Sequence, residues 1–364
     1  MSISLPPSAL RAAARIALPD PSDTMHCLCD RFREWGDVRI DGANASITTS
    51  FGCAFLCAEK TMLRLEAGGD DPTKFAYVKL SMAEHLLQLA SEARIVWIGD
   101  GAAGTPLPYF REMQVVGARQ LTPHMRRVTL KGNDLASFAG PSMHIRLLFP
   151  PEGVSPPQWP VNGEDGRPLW PTGAERPVAR IYTLRRIDVG RGEVEIDMVL
   201  HEGATSPGSS FAASAEPGDI VGMTGPGGGT VGEADHYLLA GDETALPAIA
   251  RILENLPESK TATVFIEVAD AREEQTIETK ARVDLHWLHR NGAEPGSTTL
   301  LSDAIAAARL PEDRSNFVWS GSECAAFRLI RKNLRSERGL PREQHLAATY
   351  WRRGHAGEDA RKDG

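Results

Sequence analysis

Residues 236–249 read H-Y-L-L-A-G-D-E-T-A-L-P-A-I: an apolar run that stops at Gly241, then a helix-prone stretch that opens after Thr244. A short continuous apolar run bounded by glycine suits a strand buried on both faces, and the following spacing suits a helix. Thr244 stands where an N-cap belongs. Pro247 is tolerated in the first helical turn, where a backbone N–H has no partner to lose. Free amides at such a helix start, helped by its dipole, suit an anionic nucleotide. A plain strand–helix turn with a structural glycine accounts for the same residues.

Working outward, the pattern repeats. Strands over 262–268, 283–288, 317–320 and 346–351 are interspersed with helices over 301–308 and 324–338. Elements of these lengths predict a doubly wound parallel α/β sheet. Ligands bind at the carboxyl edge of such sheets, where Gly241, Glu267, Ser320, Gly321 and Glu323 fall. Upstream, runs over 127–130, 143–149, 179–185, 194–200 and 219–223 are short, alternate with period two and are separated by turn signals, which predicts an antiparallel β-barrel. Earlier still, helical spacing (25–35, 75–90) mixes with strand-like runs (45–57, 62–65), so a small α+β domain is expected. The Gly- and Pro-rich run 99–108 reads as a linker, and the Pro-rich stretch 150–177 as a loop bridging two strands. The expected domains are 1–104, 105–233 and 234–364.

Gly227, Gly229 and Gly232 satisfy G-x-G-x-x-G. The dinucleotide fingerprint needs a helix to open there, whereas the chain runs straight into the strand at 236. A glycine interdomain turn is the reading adopted.

Composition narrows the function class. Of 364 residues, 41% are hydrophobic, enough to bury real cores, yet no run approaches the roughly 18 apolar residues of a membrane span. The first residues carry no apolar secretion signal. Five cysteines are too few and too odd a number for a disulfide scaffold, so a reducing, cytoplasmic setting is expected. A net charge of −8, from 40 basic and 48 acidic side chains, argues against a nucleic-acid partner. Cys27, Cys29, Cys53 and Cys57 fall in the first domain beside His26. Four thiolates can hold zinc or an iron–sulfur cluster, but C-x-C and C-x-x-x-C are not knuckle spacings, and no metal is expected.

Within the barrel, R-I-Y-T-L-R (180–185) offers a guanidinium for phosphate, a ring for stacking and a hydroxyl for a ring nitrogen. An ordinary exposed strand is the alternative. The stretch 197–212 ends a strand and then offers a Gly/Ser/Pro turn ahead of a helix-prone run, a second place for a pyrophosphate.

Six pieces in order carry a resemblance: L-T-P-H-M-R-R-V-T-L-K-G-N-D-L (121–135), R-I-Y-T-L-R (180–185), P-G-D-I-V-G-M-T-G-P-G-G (217–228), L-L-A-G-D-E-T-A-L-P-A-I (238–249), W-S-G-S-E (319–323) and Y-W-R-R-G (350–354). Over roughly 109–354 the chain resembles the siderophore-interacting proteins, FAD-dependent ferric-siderophore reductases of the ferredoxin-reductase-like group. The resemblance implies that Arg180, Tyr182 and Thr183 contact FAD, with Asp197, Val199 and His201 along the isoalloxazine edge. It puts the pyrophosphate turn at Ser206, Pro207, Gly208 and Ser209, with Phe211 standing where the family has tryptophan. It also implies that Gly241, Asp242, Glu243, Thr244, Ala245, Ser320, Gly321 and Glu323 border the NAD(P)H site. Residues before 99 resemble a small domain of unknown function.

The implied chemistry needs no acid, base or covalent nucleophile: a nicotinamide gives two electrons, Fe(III) takes one, and a flavin mediates. Ferric siderophores are usually anionic, so Arg146, Arg185, Arg352 and Arg353 are the candidate docking cations. Asp270 and Arg272, after the second strand of the parallel sheet, bear on NADH against NADPH. The rival readings are a general flavin or ferredoxin reductase and a non-catalytic ferric-siderophore binding protein.

Overall fold

A computed structural model describes residues 6–201 and 206–355. They form two compact units, 6–110 with 155–176, and 111–154 with 177–201 and 206–355.

The first unit opens with β1 (Leu10–Ala17) and α1 (Pro21–Phe32). Pro21 begins the helix, and the Asp20 carboxylate accepts the Asp23 N–H at 3.0 Å, a cap that satisfies one orphan donor of the first turn. Strands β2 (Asp37–Asp41), β3 (Asn44–Thr49), β4 (Gly52–Ala58) and β5 (Met62–Gly69) follow, then α2 (Pro72–Leu89), capped in the same way by Asp71, and the short β6 (Ile98–Gly99). The sheet order is β2-β3-β4-β5-β1-β6, antiparallel throughout. Leu63, Leu65 and Ala67 alternate with Arg64 and Glu66, and that period turns one face of β5 toward Met25 and Leu28 of α1 and Met82 and Leu86 of α2.

The second unit begins with β7 (Phe110–Thr122), β8 (Met125–Lys131) and β9 (His144–Phe149). Between β9 and the next barrel strand lies the Pro-rich stretch. It is more than a bridging loop: it forms a small hairpin, β10 (Val161–Asn162) with β11 (Pro168–Leu169), which belongs to the first unit. Its backbone is satisfied there, since Trp97 donates through its N–H to Glu164 O (2.9 Å) and through Nε1 to Asp165 O (3.0 Å).

The barrel continues with β12 (Val178–Thr183), β13 (Arg186–Asp188), β14 (Glu193–Val199), α3 (Pro207–Ser214) and β15 (Ile220–Gly227). Its seven strands run β12-β9-β15-β7-β8-β14-β13. The sheet curls on itself, for Arg185 N–H donates to Glu195 O at 2.9 Å. Val128, Leu130, Ile145, Leu147, Ile196 and Met223 fill the inside.

The parallel sheet follows: β16 (His236–Asp242), α4 (Leu246–Asn255), β17 (Thr261–Val268), β18 (Arg282–His289), α5 (Leu300–Ala307), β19 (Asn316–Glu323), α6 (Cys324–Lys332) and β20 (His345–Trp351). The order β18-β17-β16-β19-β20 reverses direction between β16 and β19. Tyr237 and Leu239 pack with α4 on one face, while Leu238 and Ala240 pack with α5 and α6 on the other, so the sheet is doubly wound. The helix expected to reach residue 338 widens into a π-turn at Asn333–Glu337. That turn sets Arg338 against the end of α5, where it donates to Ile305 O (2.7 Å) and Ala308 O (2.7 Å), carbonyls a helix end otherwise leaves unpaired. After the glycine run at 225–232 no helix opens; the next element is β16. Among the described residues no helix is long and apolar enough to cross a membrane.

Candidate functional site

On the barrel side, β12 brings Tyr182 under the start of α3. A Cβ on Gly208 would collide with the Tyr182 hydroxyl, so glycine is what permits the turn to close on that ring. Phe149 links the two, its ring centroid 6.3 Å from Tyr182 and 5.1 Å from Phe211. Phe211, on α3, packs against the barrel core with a smaller ring than the tryptophan of the pattern it resembles. Burial pushes the Tyr182 phenol well above its ordinary value, which keeps it a neutral donor.

Two features fit this surface to a flavin nucleotide. The Thr183 hydroxyl is buried with no hydrogen-bond partner, an orphan that a polar ring atom would satisfy. Ser206 precedes α3 without a side-chain cap, leaving first-turn amides for phosphate oxygens. Arg180, half-buried on β12, donates to its neighbour Ala179 O at 2.9 Å. Ser209 Oγ accepts the His201 N–H at 2.9 Å, tying the end of the next strand to the same turn. Val199 pairs with Met125 and packs against the parallel-sheet domain. The rest of the turn, 202–205, lies outside the described residues.

Two expected contacts need correction. Asp197 is buried, and both its oxygens are taken by Arg127, Oδ1 from Nε at 2.6 Å and Oδ2 from Nη2 at 2.8 Å. Its carboxylate holds β14 to β8 and has no free edge for a flavin. Arg185 is no docking cation: its side chain is 6% exposed and doubly bonded to Glu254 of α4, at 2.6 and 2.5 Å. Arg146 and Arg353 are exposed, and Arg352 is half-buried. The Arg353 N–H donates to Glu323 Oε1 at 3.1 Å.

At the carboxyl edge of the parallel sheet, Thr244 does not cap α4. Ala245 holds the cap position without a side-chain bond, and the Thr244 hydroxyl donates to Asp242 Oδ1 at 2.5 Å. Asp242 is buried and gathers four donors in all. Thr244 N–H also reaches Oδ1 (3.0 Å), while Glu323 N–H (3.1 Å) and Trp351 Nε1 (2.8 Å) reach Oδ2. The knot ties β16, β19 and β20 at the switch point of the sheet. Gly241 and Gly321 keep it compact: a Cβ on Gly241 would lie 2.5 Å from Ala245 Cβ and 2.8 Å from Gly321 O, and one on Gly321 would lie 2.7 Å from the Tyr350 ring. Ser320 is buried beside them. Glu243 is held by buried Arg290 at 2.7 and 2.8 Å, with Glu267 3.6 Å away. Glu323 also caps α6 through the Ala325 N–H.

Burial, and then the charge of Glu243, push Asp242 from its ordinary 3.8 up to about 6. The folded chain therefore keeps a proton that the unfolded chain has lost across that interval. Stability from this group is greatest below about pH 4, falls as pH rises to about 6, and stays low above it. In urea unfolding, Asp242→Asn is expected to remove about 2–3 kcal/mol of that fall. Parallel pH profiles for wild type and variant would contradict it.

Sequence reasoning missed Arg127, Arg290 and Trp351. Trp351 lay inside Y-W-R-R-G, but its partner is 109 residues away. Asp270 and Arg272 form an exposed pair just beyond β17, at 3.0 and 2.7 Å. In the first unit Cys29 sits in the core, and the Cys53 thiol lies 3.5 Å from Gly68 O. Among the described residues no three His, Cys, Asp or Glu side chains are gathered as a metal site.

Comparison with known proteins gives the family. Family models described as siderophore-interacting FAD-binding domain and siderophore-interacting protein match residues 114–230 and 234–354. A third, described as an uncharacterized protein conserved in bacteria, matches residues 13–97. Ferric vibriobactin reductase ViuB of Vibrio cholerae is 34% identical over 255 residues, covering 68% of this chain and 90% of that protein. Among solved structures, a siderophore utilization protein from T. fusca has a TM-score of 0.59 at 39% identity, over 69% of this chain and 95% of that one. The siderophore-interacting protein SipS of Aeromonas hydrophila has a TM-score of 0.59 at 28% identity, over 69% and 94%. The chain belongs to the siderophore-interacting protein family and carries that family's FAD-binding domain.

Proposed function

We propose that the chain is a cytoplasmic, flavin-dependent reductase that takes electrons from NAD(P)H and delivers them to the Fe(III) of an anionic ferric siderophore. The observation that carries this reading is its 34% identity to a ferric vibriobactin reductase across 90% of that protein. Bound FAD would supply the coupling between a two-electron donor and a one-electron acceptor.

The residues that would hold FAD are Arg180 and the first-turn amides of α3 for its phosphates, with Tyr182, Thr183 and His201 toward its ring. Gly241, Asp242, Glu243, Thr244, Ala245, Ser320, Gly321 and Glu323 would border the nicotinamide nucleotide. Within that group the side chains act on one another: Asp242 fixes Thr244, Glu323 and Trp351, and Arg290 fixes Glu243. The chain's own task is to align two flat rings and keep the edge rigid. Arg146, Arg352 and Arg353 are the cations proposed for the substrate. Iron leaves after reduction because Fe(II) is held weakly by hard oxygen donors. All five thiols are unpaired, which supports a reducing compartment.

Steady-state turnover tests the reading. Ferric siderophore should be reduced faster than ferredoxin, and the reverse order would favour a general flavin reductase. Nucleotide preference should be weak, within about tenfold in kcat/KM, or about 1.4 kcal/mol, since Asp270 and Arg272 nearly cancel. Arg272→Ala leaves Asp270 to repel a 2′-phosphate, so the ratio should move toward NADH. An unchanged ratio would remove Arg272 from the site.

A further inference from the structure

The first unit contains a cavity of about 330 Å³. It lies where the turn between β3 and β4 faces the end of α1 and the middle of α2, and its walls include Phe32, Trp35, Phe51, Ala54, Tyr77 and Ser81. Its origin is in the sequence. A strand ordinarily carries branched or aromatic side chains on its packed face, but β4 begins Gly52-Cys53-Ala54. Gly52 has φ +144°, and a Cβ on it would lie 2.5 Å from Gly68 O, so nothing larger fits. Small residues below two helices leave a hollow.

Three properties of the hollow define what it would take. Its volume sits at the lower end of small-molecule pockets, enough for one or two fused rings. None of its lining side chains is charged, so an ion placed there would lose its hydration without a partner. Its rim is aromatic: Trp35 is 55% exposed and Phe51 48%, with Phe51 edge-on to Tyr77 at 5.7 Å. The His85 ring packs against both Trp35 and Phe32, at 5.5 and 4.9 Å. Flat aromatic guests gain from ring contacts of this kind, and the Ser50 and Ser81 hydroxyls suit one polar substituent.

We propose that this cavity binds a neutral, planar aromatic small molecule of one or two rings carrying a hydroxyl or carbonyl group. The proposal is independent of the redox reading, because every residue it uses lies in the first unit.

Calorimetric titration of the full chain with 1-naphthol tests it, with 1-naphthoate as the charged counterpart. The expected result is one naphthol per chain with Kd on the order of 10–100 µM, and binding of naphthoate at least about tenfold weaker. Trp35→Ala, which removes the rim ring, and Ser81→Phe, which fills the hollow, should each weaken naphthol about tenfold or more. Circular-dichroism melts establish that the variants fold. If one does not, the other decides, and the naphthol–naphthoate comparison needs neither. No binding at about 1 mM naphthol, equal binding of the anion, or affinity unmoved by both substitutions would overturn the proposal. So would a concentration-dependent dimer that Trp35→Ala abolishes and naphthol leaves intact, which would assign the face to a second copy of the chain.

Discussion

Asp197→Ala is expected to lower the unfolding free energy by about 3 kcal/mol, at the low end of what removing one partner of a buried ion pair costs. Arg127 would keep Glu195 at 3.1 Å, and Arg185, 3.7 Å from Asp197, would keep Glu254. Those remaining partners are why the cost is not larger. The cause is a buried guanidinium stripped of its doubly bonded carboxylate on the outer face of the barrel sheet, not a lost contact energy. Arg127→Met with Asp197→Leu should therefore recover most of the loss, since a buried pair replaced by apolar side chains of similar volume is close to neutral. Urea unfolding of both variants against wild type checks this. A loss under about 1 kcal/mol, with flavin released instead, would return Asp197 to the cofactor.

Arg180→Ala should leave the fold intact and weaken flavin binding by about 10- to 150-fold, the equivalent of about 1.5–3 kcal/mol for hydrogen bonds to a charged group. Arg180 is half-buried on β12, and its one hydrogen bond described above goes to the adjacent carbonyl, so little structure depends on it. Arg180→Lys should restore only part of the affinity, because a point charge lacks the planar fork that meets two phosphate oxygens. Flavin occupancy of the purified variants, with melting temperature as the control for folding, decides it. Full occupancy in Arg180→Ala removes the residue from the site.

The parallel sheet was legible because its signals are local. The run H-Y-L-L-A-G and the helix starts beyond it announce themselves within a few residues, and the carboxyl edge follows from topology. Strand β1 was not legible: L-R-A-A-A-R-I-A is rich in alanine, which favours helices, and its pairing with β5 and β6 holds it extended. The hairpin at 161–169 was hidden for the same reason, since Trp97 and Thr105 complete its backbone bonds from afar. Side-chain roles failed wherever a partner lay far along the chain. By sequence Arg185 is a surface cation, but Glu254, 69 residues on, holds it. Thr244 read as a cap because it had the right residue type at a strand–helix turn. Asp242, two residues earlier, claims its hydroxyl.

The central claim is that flavin on the barrel carries electrons to ferric siderophore, and an anaerobic spectral titration tests it most directly. The purified chain should be yellow, lose its visible flavin absorption on addition of NADPH or NADH, and regain it when a ferric siderophore is added. About two Fe(II) should be trapped by a ferrous chelator for each flavin reoxidised. A colourless protein that still binds ferric siderophore, or a bound flavin that the siderophore does not reoxidise, would contradict the account.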